Sequence, residues 1–487
     1  MKTKVLFESD GNRYFQDVTN NFLLHLPDEL FKQIEKYLNE PNTTVSNNST
    51  YYERKAKFLI EKLTDMRTIE ENYSGRLSSE MVENTLANTK QIVFELTERC
   101  NLNCEYCGYG KLYEDYLPRQ NKDLPWEYIC SLIEYLNKYW VSHRYASVNK
   151  SIAISFYGGE PLLKMDLIKQ IVLLMKGKST NSLQFVYSMT TNGTLLDKYM
   201  DFLVENDVQL LISLDGNEHN NSYRLTKSGG GSFYEVVSNV MLLKERFPEY
   251  FKEKVMFASV LHNRNSVNEI NSFFRKQFDK DTAISEVSPI GIKSEKKEQF
   301  YAMYQNIIES LNQAEDYDRI KEDMFINEPD TKSLMHYFNA YSGNYIKNYK
   351  SFFVDKESVR WLPTGTCVPF GKKIFLTATG IILPCERIGH QYALGYVDKT
   401  GVNLDFHEIA SKYNQYYDNI KKQCTTCYRL KHCLQCIFYI DEIDSQPACK
   451  GYFNESKFKK YLSENVAFLR KNNRLYKKIM TEVILEE

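Results

Sequence analysis

The sequence predicts an α/β protein built on a parallel sheet or open barrel, and three observations carry that prediction. Five apolar runs of strand length occur in succession: QIVFEL from Gln91, SIAISFY from Ser151, QFVYSMTT from Gln184, VQLLISLD from Val208 and VMFASVL from Val255. Stretches with helical periodicity separate them, including Glu127 to Trp140 and Leu162 to Met175. The polar and glycine-bearing signatures stand just after these runs, at strand C-termini, where sheets of this kind collect their functional residues.

The elements follow in order. The first forty residues alternate apolar and polar positions around two turn signals, Ser9 to Asn12 and Thr19 to Asn21, which predicts a small antiparallel meander. Pro27 and Asp28 can start a helix, on which Leu30, Phe31, Ile34, Tyr37 and Leu38 fall on one face. After a polar stretch from Asn39 to Thr50, Phe58, Leu59, Leu63 and Met66 predict a second amphipathic helix, and Leu77 to Lys90 reads as a polar linker or a third helix. The strand and helix alternation then runs to about Ile292, and Ser294 to Lys350 reads as mostly helical. Beyond Pro363 come a second cysteine group and a charged helical tail from Lys457 to Glu487. The expected domains are therefore 1–88, 89–293, 294–362 and 363–487.

Composition excludes several classes of function. The chain has 487 residues, long enough for two to four cores, and its 62 basic and 63 acidic side chains leave a formal charge of -1. No overall field favours nucleic acid or an anionic membrane. With 43% hydrophobic residues and no apolar run of about 18, membrane insertion is not expected. Glu8 and Asp10 interrupt the N-terminus before a signal-peptide core can form, so a cytosolic location is expected.

Eleven cysteines are too few for a disulfide scaffold of this length, and their grouping reads as metal ligation. Three lie at Cys100, Cys104 and Cys107, directly after the strand QIVFEL, and seven lie from Cys367 to Cys449. Cys130 stands alone on a helix, at a position compatible with a buried free thiol. Three thiolates on one loop can hold a 4Fe-4S cluster and leave its fourth iron open for a substrate. A three-cysteine zinc site is the alternative, although such sites normally show paired C-x2-C knuckles.

The C-x3-C-x2-C spacing, with Tyr106 before the last cysteine, resembles the radical SAM superfamily. The resemblance extends to Phe156-to-Pro161, Thr190-to-Gly193 and Ser213-to-Gly216, which end the next three strands in the expected order. It implies a partial (β/α)6 barrel in which Cys100, Cys104 and Cys107 bind a 4Fe-4S cluster that cleaves S-adenosylmethionine to a 5'-deoxyadenosyl radical. By the same resemblance Gly158, Gly159, Glu160 and Pro161 contact the methionine amino group, and Thr190, Asn192, Ser213 and Asp215 line the ribose and methionine pockets. Arg224 would meet the carboxylate and Tyr106 the adenine. Asn-Gly and Asp-Gly pairs are also ordinary turns, and an aromatic beside a cluster can be simple packing.

The second group, Cys367, Cys385, Cys424, Cys427, Cys433, Cys436 and Cys449, resembles the SPASM extension of radical SAM peptide and protein maturases. That resemblance implies two auxiliary 4Fe-4S clusters, one on Cys424, Cys427, Cys433 and Cys449, the other reached by Cys367, Cys385 and Cys436. Only Leu434 and Gln435 separate Cys433 from Cys436, one residue fewer than is usual. The second auxiliary cluster is a cysteine short, and water, His432, His390 or a substrate thiolate can close it. Zinc knuckles remain the alternative for the C-x2-C pairs.

The N-terminal pattern resembles the winged-helix-like module by which maturases of ribosomally made peptides grip a leader. Residues 1–90 hold 12 Lys or Arg against 14 Asp or Glu, which disfavours phosphate contact and leaves peptide capture by strand addition, or a structural cap, as the readings. The function expected is therefore a radical SAM maturase that installs a thioether, Cys sulfur to carbon, in a precursor peptide, fed by an external donor such as flavodoxin or ferredoxin. Carbon-carbon crosslinking, formylglycine maturation of a sulfatase and a cluster-bearing scaffold without turnover are the alternatives.

Overall fold

The computed structural model describes residues 4–40, 49–65, 75–113, 119–142, 151–180, 183–314, 317–342, 362, 366–430 and 433–483. Met66 and His432 lie outside them. The chain forms two compact units: Met1–Arg76, Phe325–Thr366 and Tyr413–Glu487 make one, and Leu77–Met324 with Cys367–Lys412 make the other.

In the second unit six parallel strands, numbered from the three of the N-terminal meander, are β4 (Gln91–Glu95), β5 (Ser151–Tyr157), β6 (Gln184–Thr191), β7 (Gln209–Ser213), β8 (Val255–Leu261) and β9 (Thr282–Glu286). Helices Trp126–Trp140, Met165–Lys178, Leu196–Glu205, Phe233–Arg246 and Val267–Phe278 form the crossovers between them. This is the (β/α)6 arrangement that the alternation predicted, with β9 as one strand more than the five runs named. Alternate residues explain the packing: Ile92, Phe94, Ile154, Ile212 and Phe257 are fully or almost fully buried, whereas Val186 and Met256 on the opposite parity are about half exposed. On that parity Gln91 Nε2 donates to Ser155 Oγ, which pairs with Ser188 Oγ, each at 2.6 Å.

Four short antiparallel strands extend the sheet beyond β4. They are β10 (Ile374–Leu376), β11 (Ile381–Leu383), β12 (Gly395–Asp398) and β13 (Gly401–Leu404), and β10 pairs in parallel with β4. The sheet order is β13-β12-β11-β10-β4-β5-β6-β7-β8-β9, so it remains open at β9 and β13.

In the first unit the meander is β1 (Lys4–Ser9), β2 (Asn12–Asp17) and β3 (Phe22–Leu26), in that order. Leu6, Phe15 and Leu26 pack with Leu30, Phe31 and Ile34 of helix Asp28–Asn39 and with Ala56 of helix Tyr51–Asp65. Val5, Phe7, Tyr14 and Val18 pack on helices Pro329–Tyr341 and Glu455–Lys471. Ser9 Oγ donates to the Ser463 carbonyl and Ser463 Oγ to the Glu8 carbonyl, both at 2.8 Å, which holds helix Glu455–Lys471 beside β1. Residues 79–87 are a helix capped by Ser78, not a linker.

Candidate functional site

The loop after β4 carries the cysteine triplet, and the strand ends beside it fix its path. The Leu102 N–H donates to Cys100 Sγ at 3.4 Å, and the Cys107 N–H to the Cys104 carbonyl at 3.2 Å. From one side the segment 223–226 clamps the loop: Asn103 N–H donates to the Leu225 carbonyl at 2.7 Å and Glu105 N–H to that of Tyr223 at 3.1 Å.

From the other side come Gly158 and Gly159. A Cβ at Gly159 would lie 2.0 Å from the Arg99 carbonyl oxygen, and one at Gly158, where φ is +139°, 2.5 Å from that of Thr97. The Gly159 and Glu160 N–H groups donate to those same two loop carbonyls at 2.8 and 2.9 Å. The close approach that these glycines permit is thus to the cysteine loop itself.

Glu160 is fully buried, and it ties three segments together. Its carboxyl accepts from Leu162 N–H at 3.0 Å, Thr191 Oγ1 at 2.7 Å and Asn192 N–H at 2.8 Å. Burial raises its pKa to about 7 against the pull of those donors. Pro161 starts the short turn that follows. Asn192 Nδ2 reaches Asn101 Oδ1 at 2.9 Å and Cys100 Sγ at 3.8 Å, so the end of β6 touches the triplet directly. Thr190 and Ser213 are half-buried at their strand ends.

Asp215 centres a buried ionic network. Arg224 donates to it in bidentate fashion, Nε at 3.0 Å and Nη2 at 2.9 Å, Val260 N–H donates at 2.9 Å, and the Tyr106 hydroxyl also donates. Burial would raise the Asp215 pKa, but the Arg224 charge and the hydrogen bonds hold it at about 2. Tyr106 is buried among Leu112, Tyr113, Tyr223, Phe300 and Met303 and stacks on His262 at 5.8 Å. In this structure the Arg224 fork is therefore engaged by a carboxylate of the chain, and the Tyr106 ring sits in a packed core.

Residues without a motif support the same loop. Asp123 accepts from Thr97 Oγ1 at 2.6 Å, from Lys164 Nζ at 3.0 Å and from Arg99. Arg119 pairs with the buried Glu95 at 2.9 Å and lies 3.6 Å from the Tyr109 ring centroid. Nothing in the local sequence distinguishes these charges from surface ones.

Cys100, Cys104 and Cys107 are free and half-exposed thiols. Burial pushes Cys104 up to about 12, with Arg224 pulling the other way and the two neighbouring sulfurs adding to the rise. Among the described residues no group of three or more Cys, His, Asp or Glu is close enough to hold one metal ion. The donor set fits an iron-sulfur cluster: three sulfurs on one loop, with Cys100 and Cys107 near enough to Cys104 to act on its charge.

The second cysteine group divides between the units. Cys424, Cys427, Cys433 and Cys449 lie together in the first unit, where burial raises Cys424 and the other three sulfurs raise it further. Cys427 Sγ accepts the Phe453 N–H at 3.4 Å. Cys436 belongs to the same unit, whereas Cys367 and Cys385 belong to the sheet-bearing one. Cys385 is pushed up to about 11 by burial and by Glu386, which Lys373 holds at 3.1 Å. His390, also in the sheet-bearing unit, has its pKa lowered by burial, opposed by the nearby Glu98. Cys130 is half-buried rather than enclosed.

Residues 94–275 match the Radical SAM superfamily and constitute a radical SAM domain. The chain is 27% identical over 195 residues to a cysteine-type anaerobic sulfatase-maturating enzyme of Clostridium novyi, covering 39% of this chain and 49% of that protein. It is 26% identical over 225 residues to the radical SAM cyclopropyl synthase TigE of Paramaledivibacter caminithermalis, covering 41% and 45%. The chain spans about half the length of the curated relatives it matches. The solved structure of native anSMEcpe with bound AdoMet and Cp18Cys peptide aligns with a TM-score of 0.52 at 19% identity, over 80% of this chain and 99% of that one, and supports the radical SAM α/β fold. Among the described residues no helix is long and apolar enough to cross a membrane.

Proposed function

From the radical SAM domain as premise, we propose that this chain is a maturase that installs a thioether, Cys sulfur to carbon, in a ribosomally made precursor peptide. The convergence of Cys100, Gly159, Glu160 and Asn192 within direct contact of one loop carries the first step of that reading. Cys100, Cys104 and Cys107 would hold the 4Fe-4S cluster, which supplies reductive cleavage of S-adenosylmethionine when an external donor such as flavodoxin or ferredoxin reduces it. Glu160 and Gly159 keep the loop in place, and Asn192 presents its amide to Cys100.

Seven further cysteines, none of them in a disulfide, support two auxiliary clusters. Cys367 and Cys385, both in the sheet-bearing unit, would supply ligands to one of them, which leaves room for a substrate cysteine. A bound thiolate would be deprotonated and positioned for attack by a nearby carbon radical. The N-terminal sheet supports leader capture. Helix Glu455–Lys471 lies against β1, whereas among the described residues β3 pairs only with β2, which leaves its other edge for strand addition.

The sequence relationship to sulfatase-maturating enzymes favours a second reading, oxidation of a cysteine or serine to formylglycine. One experiment separates them. Anaerobically reconstituted protein is incubated with S-adenosylmethionine, a reductant and candidate peptides, and deoxyadenosine and peptide mass are followed. Thioether formation removes two hydrogens and makes one cysteine inert to alkylation while its sulfur is retained. Formylglycine formation from cysteine removes the sulfur. No deoxyadenosine under conditions where the triplet holds iron would sink both readings.

A further inference from the structure

The N-terminal sheet has two apolar faces, and only one is needed to fold it against its own helices. The other contributes Val5, Phe7, Tyr14 and Val18 to a core that also contains Tyr337, Tyr341, Tyr428 and Phe458. In the middle of this core stands a polar side chain, Gln16 of β2, which is fully buried. A buried amide is unfavourable unless its groups are bonded, and here they are. Nε2 donates to the Tyr341 carbonyl at 3.1 Å and to that of Asp17 at 3.2 Å, while Oε1 accepts from the Tyr337 hydroxyl at 3.3 Å.

The contacts continue to a cysteine. The Tyr341 hydroxyl donates to the Tyr428 carbonyl at 3.0 Å, and Tyr428 directly follows Cys427. The Tyr428 ring stacks on Phe458 at 4.8 Å, and its N–H donates to the Phe453 carbonyl at 3.0 Å. The N–H of Phe453 is the donor to Cys427 Sγ. A hydrophobic residue at position 16 would fill the core, but it would not fix helix Pro329–Tyr341 at one height on the sheet. The amide does so, because sliding the helix would leave buried polar atoms without partners.

We infer that Gln16 and Tyr341 are positioning residues for the Cys424, Cys427, Cys433 and Cys449 group, so that occupancy of that group and order in the N-terminal sheet are thermodynamically linked. The inference rests on the reading that these cysteines hold an iron-sulfur cluster. Linkage is reciprocal. A cluster that stiffens the Cys427 loop steadies the sheet, and a peptide strand that steadies the sheet tightens the hold on the cluster.

Hydrogen exchange of residues 4–26 in the full chain, with and without reconstituted clusters, tests this without any turnover. Loading should slow exchange roughly tenfold, the size expected when a bound group stabilises the unit that contains it. The double variant Cys424→Ser and Cys427→Ser, which leaves the Cys100 triplet intact, should lose that slowing. Gln16→Leu should speed iron loss to a chelator and alter the electron paramagnetic resonance signal of the C-terminal cluster, with the signal of the Cys100 triplet unchanged. Adding Tyr337→Phe, which removes the hydroxyl orphaned by Gln16→Leu, should restore part of the retention. Exchange rates of residues 4–26 that ignore cluster occupancy overturn the inference, and this arm decides it even if Gln16→Leu does not fold. Iron content unchanged in the Cys424, Cys427 variant instead overturns the cluster reading beneath it.

Discussion

Replacing Asp215 with asparagine keeps the shape of the side chain and removes its charge, so it isolates the ion pair beneath the cysteine loop. The Asp215 carboxyl, fully buried, is held at a pKa of about 2 against an ordinary 3.8, a depression worth about 2 kcal/mol. The substitution also leaves the Arg224 guanidinium, only 10% exposed, without its counter-charge, and breaking a buried pair costs about 3–5 kcal/mol. The expected loss is therefore about 3 kcal/mol. A folded-state pKa below the unfolded one means that the contribution is present above about pH 4 and lost as pH falls through about 2, so the penalty should stay constant from pH 5 to 8. Urea unfolding under reducing conditions, followed by the fluorescence of Trp126 and Trp140 in the same unit, measures it. Asp215→Asn combined with Arg224→Met should recover much of the loss, because neither charge then remains buried alone. A loss under about 1 kcal/mol, or a double variant equal to the sum of the singles, would refute the assignment of a coupled buried pair.

Glu160 titrates the other way: a folded pKa raised from 4.5 to about 7 makes its contribution complete below pH 4.5 and lost through pH 7, about 3 kcal/mol in all, and Glu160→Gln should flatten the stability profile over that window. Gly159→Ala should cost at least 2 kcal/mol (about the middle of the overpacking range) and lower the iron bound by the triplet, because its methyl would meet the Arg99 carbonyl. Gly11→Ala, with φ +72° and no atom within 4 Å, should cost only the backbone strain of about 1–2 kcal/mol and leave iron binding unchanged. Arg119→Ala should cost about 3 kcal/mol in a denaturant titration, since it strands the buried Glu95 and removes a cation from the face of Tyr109.

The parallel strands were legible because each is apolar on both parities near its middle and is bounded by a turn signature, as in QIVFEL and SIAISFY. Strands β10 to β13 were not. They are three or four residues each, and no period can be read from so few. The triplet and its partner loops were legible as motifs, but the atoms they face were not. A glycine requiring close approach looks the same whether the approaching group is a ligand or, as with Gly159, the Arg99 carbonyl. An aromatic before Cys107 looks the same whether its ring meets a nucleotide or, as with Tyr106, packs on His262 with its hydroxyl on Asp215. Asp123 and Arg119 had no signal at all, because a paired charge and a solvated one have identical letters. The consecutive apolar residues Val5, Leu6 and Phe7 did carry a clue: a strand buried on both faces shows such a run, whereas an alternating edge meander does not.

The division of the first unit among distant segments has a consequence for how the chain is made. Strands β1 and β2 leave the ribosome more than 400 residues ahead of helix Glu455–Lys471, which helps cover Val5, Phe7 and Tyr14. At about 5–20 residues per second, that face waits roughly 20 to 90 seconds for its cover. Until then it is a sticky surface on a nascent polypeptide, and any product that stops short of Glu455 keeps this apolar face covered only in part, by helix Pro329–Tyr341. Such products are the ones that chaperones and proteases should recognise, which makes synthesis through Lys471 a checkpoint for this unit.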